Sequence, residues 1–298
     1  MAQATTLMSV VRQTTAPDID ETIKKEQEKM DIIEKSIIAK NPKEKPEDGI
    51  VVTDDFIAVI DGSTSKSPTR ISRWKSNGRY CMQLIETFIK KMPKDITAGD
   101  FCQGVTTYVR KHYSQAQISR LQAHPEERLT ASCIVFSRLQ RQVWMIGDCQ
   151  CMIGDYYFDN AKPCERQIAQ RRADIAHEML ASGRATIEGL RTEDAARQAI
   201  IPDLVEAMKG QNVDYAVIDG FPIPMRKVKV ETLNFEPWTI VFASDGYPVL
   251  KPTLQESEEA LRQQQATDPL NIGTFKATKA FMLGNNSFDD RSYIRFKV

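Results

Sequence analysis

Three short apolar segments of this sequence are each followed within two residues by an aspartate with a glycine beside it. The segments are residues 56–60, 143–146 and 240–243, and the aspartates are Asp61, Asp148 and Asp245. A carboxylate at the end of a buried strand is poorly solvated, and several that meet repel one another unless cations or protons neutralise them. One such Asp-Gly pair alone would be read as a turn. The repetition instead predicts a cation bound at a shared edge.

A further aspartate, Asp289, precedes an apolar segment, residues 293–296, instead of following one. In an antiparallel pair the start of one strand lies beside the end of its neighbour, so Asp289 can reach Asp61 and Asp245. Carboxylate oxygens suit hard cations better than they suit zinc or copper. The expected cofactor is therefore Mg²⁺ or Mn²⁺.

The elements that position these residues follow from apolar periodicity. Strands are predicted at 32–39, 50–52, 56–60, 130–136, 142–146, 149–157, 215–218, 227–232, 239–243 and 292–296. Helices are predicted at 71–92, 100–122, 253–264 and 274–283, and residues 165–210 form a long helical block. Strands cluster, then helices, then strands, and this order favours an α+β layered sandwich over a doubly wound parallel sheet.

Charge and hydropathy limit the classes of function. The 40 Lys and Arg residues balance 40 Asp and Glu residues, so no summed basic field attracts nucleic acid or an anionic membrane. No apolar run approaches the roughly 18 residues of a membrane-spanning helix, and the first residues do not match a secretory signal. We therefore expect a cytoplasmic protein without a nucleic-acid or membrane partner.

The six cysteines are scattered along the chain. None forms a Cys-x-x-Cys pair with zinc spacing. Cys149 and Cys151 would share one face of a strand, which leaves a metal role open, but buried reduced thiols are the favoured interpretation.

The order of the acidic motifs resembles that of the type 2C, metal-dependent Ser/Thr protein phosphatases. The series is Glu47-Asp48, Asp61-Gly62, Thr130-Ala131-Ser132, Gly147-Asp148, Ser244-Asp245-Gly246 and Asp289-Asp290-Arg291-Ser292. Order and spacing carry the resemblance, since each motif alone is weak. It implies a four-layer α/β/β/α sandwich with two antiparallel sheets enclosed by helices. Residues 31–298 would form this catalytic domain, with residues 165–210 as an inserted helical flap and residues 1–30 as a polar N-terminal extension.

The resemblance also implies two tightly bound metal ions. Asp61 would bridge them, with Glu47 and the Gly62 carbonyl on one ion and Asp245 and Asp289 on the other. A third, looser ion would be held with the help of Asp148. Asp48 would support the site by orienting metal-bound waters.

Two positions depart from the family pattern. Ser63 stands where the family commonly has a histidine that can act as a general acid. Lys43, four residues before Glu47, stands where the family has an arginine that contacts phosphate. A lysine offers a point charge instead of a bidentate fork. Both departures bear on turnover and substrate choice more than on metal binding.

The function predicted on this basis is metal-dependent hydrolysis of phosphomonoesters, with a phosphoserine or phosphothreonine protein as substrate. A metal-activated bridging water would attack phosphorus, and Asp61, Asp148 and Lys43 would take part in catalysis. Two alternatives remain open at this point. One is a non-catalytic domain that binds phosphoproteins, and the other is a phosphatase of small molecules.

Overall fold

The computed structural model describes residues 30–298. The polar extension predicted at residues 1–30 lies outside the described residues except for its last residue. Within the described part, no helix is both long and apolar enough to pass through a lipid bilayer.

Strands and helices alternate in blocks along residues 30–298. The strands are β1 Asp31–Ile38, β2 Gly49–Val52, β3 Phe56–Gly62, β4 Ala131–Ser137, β5 Gln142–Ile146, β6 Gln150–Ile153, β7 Tyr156–Phe158, β8 Lys229–Thr232, β9 Thr239–Ala243 and β10 Arg291–Lys297. The helices are α1 Asn77–Ile89, α2 Ala98–Arg110, α3 Gln115–Ala123, α4 Glu165–Ala181, α5 Ile187–Thr192, α6 Ala195–Lys209 and α7 Leu254–Thr267.

The strands form two five-stranded sheets in which all neighbouring strands are antiparallel. One sheet has the order β1-β10-β9-β6-β7, and the other has the order β2-β3-β4-β5-β8. Each sheet therefore combines strands from distant parts of the chain. This arrangement brings motifs that are far apart in the sequence to common edges.

Successive side chains of β3 point to opposite faces of their sheet. Ile57 packs between the two sheets with Phe242 of β9. Ile60 packs on the other face against Ile85 of α1. Because both faces are covered, the strand consists of a continuous apolar segment instead of alternating apolar and polar residues.

Helices cover the outer faces of both sheets. Helices α1 and α2 supply Ile85 and Phe101 to the cluster on the outer face of the β2-β3-β4-β5-β8 sheet. On the other sheet, Val241 and Tyr293 pack with Leu254 at the start of α7. The result is a four-layer α/β/β/α sandwich, and the fold class expected from the sequence is confirmed.

Two of the predicted elements are wrong. Residues 274–283 form an irregular segment because their N–H groups bond to other parts of the chain, such as Phe281 to the Pro269 carbonyl and Leu283 to the Arg191 carbonyl. Residues 215–218 contribute only isolated bridges, one of them between Ile218 and Ala131. The predicted helix 100–122 divides into α2 and α3.

The helical block predicted at 165–210 contains α4, α5 and α6, and α4 packs against α6. Arg172 of α4 is fully buried and donates from Nε and Nη2 to Oδ2 of Asp194, at 3.1 and 2.6 Å. Its Nη1 donates to the carbonyls of Leu270 and Ala277, at 2.8 and 3.0 Å. A buried charge needs such complete pairing. The interaction fixes these helices against the irregular segment.

Candidate active site

Sheet register brings Asp61 and Asp148 to the same edge. Asp61 pairs with Ser132 of β4, and the next residue of β4, Cys133, pairs with Ile146 at the end of β5. The turn after β5 requires Gly147, whose φ is +85° and whose added Cβ would lie 2.2 Å from Oγ of Ser132. That hydroxyl donates to Oδ1 of Asp148 at 2.5 Å.

Asp245 reaches this edge from the other sheet. Gln150 of β6 pairs with Ala243 of β9, so Asp148, two residues before Gln150, and Asp245, two residues after Ala243, lie at the same end. The edge borders a cavity of about 400 Å³ that is also lined by α4, α6 and the irregular segment. All four of the aspartates predicted at this edge, Asp61, Asp148, Asp245 and Asp289, therefore line one cavity.

A further carboxylate, Glu165, joins this cluster. Carboxylate oxygens of Asp148, Glu165 and Asp245 all lie within 4.8 Å of one another. Sequence reasoning missed Glu165 because it is the first residue of α4 and follows no apolar strand. An acidic residue in the first turn of a helix is common and carries no separate signal.

The cluster is electrostatically strained in the absence of a cation. Burial, Asp245, Asp48 and Asp148 raise the pKa of Asp61 well above its ordinary value. Burial, Asp148 and Glu165 raise the pKa of Asp245 to about 7. Oxygen donors under mutual repulsion suit a hard divalent cation. This group of carboxylates could therefore hold a metal ion.

Lysine side chains form ion pairs with two of the predicted metal ligands, Asp148 and Asp289. Lys162 donates to Oδ2 of Asp148 at 2.6 Å. Burial opposes ionisation of Asp148, but the Lys162 charge and the hydrogen bonds outweigh it and lower the pKa of this carboxyl. Asp289 pairs with Lys40 at 3.1 Å through Oδ1 and with Lys279 through Oδ2. These lysines carry no motif and were missed in the sequence.

Glu47 and Gly62 lie together at the margin of the site. The Glu47 carboxylate accepts hydrogen bonds from the hydroxyls of Thr64, at 2.6 Å, and Ser76. A Cβ added to Gly62 would lie 2.6 Å from the Glu47 carbonyl oxygen and 2.5 Å from that of Gly78. Only glycine permits this close approach. Gly62 lines the cavity.

Asp48 is buried beside Asp61. Neither of its carboxylate oxygens makes a hydrogen bond of normal geometry, although the hydroxyls of Ser244 and Ser292 lie close enough to lower its pKa in part. Burial dominates and raises the pKa of Asp48 to about 6. Asp290, the second aspartate of the last motif, accepts hydrogen bonds from the backbone N–H groups of Glu47 and Lys40, both at 2.8 Å.

Lys43 is not brought to the carboxylates. It lies exposed in a turn, where its backbone N–H donates to Oδ1 of Asn41 at 3.0 Å, and it does not line the cavity. Ser63, the other position that departs from the family pattern, does line the cavity. The phosphate contact assigned to Lys43 therefore stays a prediction without support from the geometry.

The six cysteines are free thiols. Cys149 and Cys151 are buried, as are Cys81, Cys102 and Cys133. The cluster with metal-binding spacing in the described residues consists of carboxylates alone. The expectation that most cysteines lie in the core is confirmed.

No protein-family model matches the chain, and no curated protein matches it. Among solved structures, it is similar to the serine/threonine phosphatase PstP/Ppp of Mycobacterium tuberculosis, with 13% identity, a TM-score of 0.43, and coverage of 91% of this chain and 99% of that chain. It is also similar to PppA of Pseudomonas aeruginosa, with 11% identity, a TM-score of 0.47, and coverage of 90% and 97%. A third is the serine/threonine phosphatase Stp1 of Staphylococcus aureus, with 12% identity, a TM-score of 0.45, and coverage of 89% and 95%.

The metal-free chain is expected to lose thermal stability as the pH rises toward 7. Folding raises the pKa of Asp245 from an ordinary 3.8 to about 7 and that of Asp48 to about 6. Between these values the folded chain holds protons that the unfolded chain has released, so the free energy of unfolding falls as the pH rises. The pKa of Asp148 is lowered on folding, so this carboxyl changes the free energy of unfolding only at pH values below this range.

Scanning fluorimetry between about pH 4.5 and 7.5 measures this effect. We expect the unfolding midpoint to fall by on the order of 5 °C without metal and to recover in Mn²⁺. Asp245→Asn should flatten the metal-free profile. A midpoint that rises with pH in the metal-free wild type would contradict this electrostatic description.

Proposed function

We propose that this chain hydrolyses phosphomonoesters with divalent metal ions, Mg²⁺ or Mn²⁺, and that its substrate is a protein phosphorylated on serine or threonine. The observation that carries the proposal is the convergence of Asp61, Asp148, Glu165 and Asp245 on one cavity. Burial and the neighbouring carboxylates raise the pKa values of Asp61 and Asp245, which supports binding of a cation at this cluster. A bound divalent metal ion would supply the positive charge that these carboxylates need.

The residues that would hold the ions are those of the sequence-based prediction together with Glu165. Asp61, Glu47 and the Gly62 carbonyl would serve one ion, Asp61, Asp245 and Asp289 the second, and Asp148 a looser third. When bound, such ions supply an activated water and offset the charge on the phosphoryl oxygens.

The chain's own residues would orient the substrate and the ligands. The Ser132 hydroxyl and the Lys162 ammonium fix the Asp148 carboxylate through both of its oxygens. Helices α4 and α6 border the cavity, so the block 165–210 would contact the substrate around its phosphoryl group. The free thiols support a cytoplasmic location, where cysteines stay reduced.

Turnover of p-nitrophenyl phosphate with and without Mn²⁺ tests the reaction class. We expect phosphate release that saturates with Mn²⁺ and stops in a chelator. A phosphothreonine peptide and a small sugar phosphate, assayed in parallel, separate a protein substrate from a small-molecule substrate. Hydrolysis of the sugar phosphate alone would contradict the proposed substrate class.

A second candidate function is binding of phosphoproteins without catalysis. The lysine pairs at Asp148 and Asp289 favour it, because an ammonium group competes with a metal ion for the same carboxylate oxygens. Calorimetric titration with Mn²⁺ separates the two functions. Phosphopeptide binding without tight Mn²⁺ binding or turnover would establish the second one.

Ser63→His is expected to improve hydrolysis of substrates with poor leaving groups. Ser63 lines the cavity, and a general acid there contributes about 10² to 10⁴ in rate, least when the leaving group is already acidic. The ratio of phosphothreonine-peptide to p-nitrophenyl phosphate turnover should therefore rise, with Ser63→Asn as the matched control. An unchanged ratio in a folded Ser63→His variant would show that position 63 does not protonate the leaving group.

A further inference from the structure

Six basic residues line the cavity: Lys66, Lys162, Arg166, Arg197, Lys276 and Lys279. Lys162 and Lys279 each pair with a carboxylate. Of the other four, Arg166 is exposed and Lys276 makes a solvent-exposed hydrogen bond to the Gly273 carbonyl. Lys66 and Arg197 are partly buried and donate only to neutral oxygens, without an ion pair to any described residue. Partly buried cations without a counter-ion are unfavourable unless a ligand supplies the negative charge.

Asp194 precedes Arg197 by three residues but forms no ion pair with its guanidinium. Asp194 caps α6 by accepting from the Arg197 backbone N–H at 2.9 Å, and its other oxygen is held by Arg172 and by the Ala280 N–H. The Arg197 guanidinium donates only from Nη1, to the carbonyl and hydroxyl oxygens of Thr278. Its Nε and Nη2 make no hydrogen bond to residues 30–298.

Lys66 lines the same cavity from the loop that follows β3. Its Nζ donates to the Thr64 carbonyl, which is neutral. Burial lowers the pKa of Lys66 to about 7, and the charge that adds most to this shift is Arg197. Two cations that repel each other across one cavity are suited to sharing an anion.

We infer that Lys66 and Arg197 form the anion-binding pair that receives the phosphoryl oxygens of the substrate. This inference rests on the proposed function for the identity of the anion, a phosphomonoester dianion. An arginine presents two parallel N–H groups to phosphate, and a lysine adds a point charge. The pair takes the role that motif spacing assigned to Lys43, and it makes helix α6 part of the substrate site.

Neighbouring carboxylates determine the conditions of binding. Asp61, Asp245 and Glu165 line the same cavity and repel a free anion. Divalent ions bound to them would remove this repulsion. Inorganic phosphate should therefore bind to the Mg²⁺-loaded chain more tightly than to the metal-free chain.

Calorimetric titration of the Mg²⁺-loaded full chain with inorganic phosphate tests the inference. Loss of a charge-assisted hydrogen bond is worth about 1.5 to 3 kcal/mol, or on the order of 10- to 100-fold in Kd, for Arg197→Ala and Lys66→Ala. Lys91→Ala, at an exposed lysine that does not line the cavity, is the matched control and should stay within about twofold. Lys43→Ala separates this inference from the phosphate contact predicted at Lys43. Arg197→Lys should recover part of the loss. Unfolding midpoints of all variants separate lost contacts from lost structure.

The inference is overturned if Lys43→Ala weakens phosphate binding as much as Arg197→Ala, or if the wild type binds no phosphate. It is also overturned if Arg197→Ala and Lys66→Ala bind phosphate like the wild type. Failure of the proposed function has a different signature. A wild type that binds phosphate through Arg197 and Lys66 but releases none from any phosphomonoester would leave the inference standing and contradict the proposed hydrolysis.

Discussion

Asp61→Asn is expected to abolish Mn²⁺-dependent phosphate release. Asp61 lies among Asp48, Asp148 and Asp245, and in the proposed site it is the one carboxylate shared by two ions. A unit charge about 4 Å away is worth about 4 kcal/mol at the effective dielectric of a protein site, which is on the order of a thousandfold in binding. Both ions would be weakened at once.

Asparagine has nearly the shape of aspartate, so the variant should fold. Its metal-free form should be at least as stable as the wild type, because one of several repelling buried charges is removed. Asp219→Asn is the matched control: Asp219 is fully buried but pairs with Arg128 at 2.9 Å, and it does not line the cavity. It should lose stability and retain metal-dependent turnover. Activity of Asp61→Asn within a few-fold of the wild type would show that the centre is misassigned.

Asp289→Ala is expected to lose a tight ion, whereas Asp148→Ala is expected to retain both. Removing Asp289 leaves Lys40 and Lys279 without their carboxylate partner, and two uncompensated cations repel a neighbouring divalent ion. Removing Asp148 frees only Lys162, and Glu165 and Asp245 remain in the cluster. Asp148→Ala should still lose turnover that extra Mn²⁺ does not restore, because the looser ion is lost.

Calorimetric titration of both variants with Mn²⁺, with the wild type as reference, measures this difference. Asp148→Ala also leaves Lys162 without its carboxylate partner. Lys162→Met, which removes this charge and keeps Asp148, is the control for that effect. Equal loss of tight sites in the two variants, or full activity of Asp148→Ala, would show that the wrong carboxylate has been placed at the looser ion.

The strands that end in aspartate could be predicted because both faces of each sheet are covered. Apolar segments such as 56–60 and 240–243 are uninterrupted for that reason, and register then places Asp61 and Asp245 at one edge. The predicted helix 274–283 failed because periodicity does not show where backbone groups find partners. Here the N–H of Leu283 bonds to the Arg191 carbonyl instead of to its own turn.

The charged part of the cavity was less predictable. Lys162 lies just before α4, Glu165 is the first residue of α4, and Arg197 lies in α6. Their approach to the strand ends depends on how these helices dock. Spacing from Glu47 pointed to Lys43, but the turn closed by the Glu44 N–H and the Asn41 carbonyl leaves Lys43 exposed. Tertiary packing, which no local pattern encodes, determines which cations face the carboxylates.

Phosphate release from a phosphothreonine peptide, measured at increasing Mn²⁺ after removal of metal with a chelator, tests the central claim most directly. We predict no release in the chelated protein and a rate that rises to saturation with Mn²⁺ in the wild type but not in Asp61→Asn. Release that persists undiminished in the chelator, or none at any Mn²⁺ concentration, would contradict a metal-dependent phosphatase centred on these carboxylates.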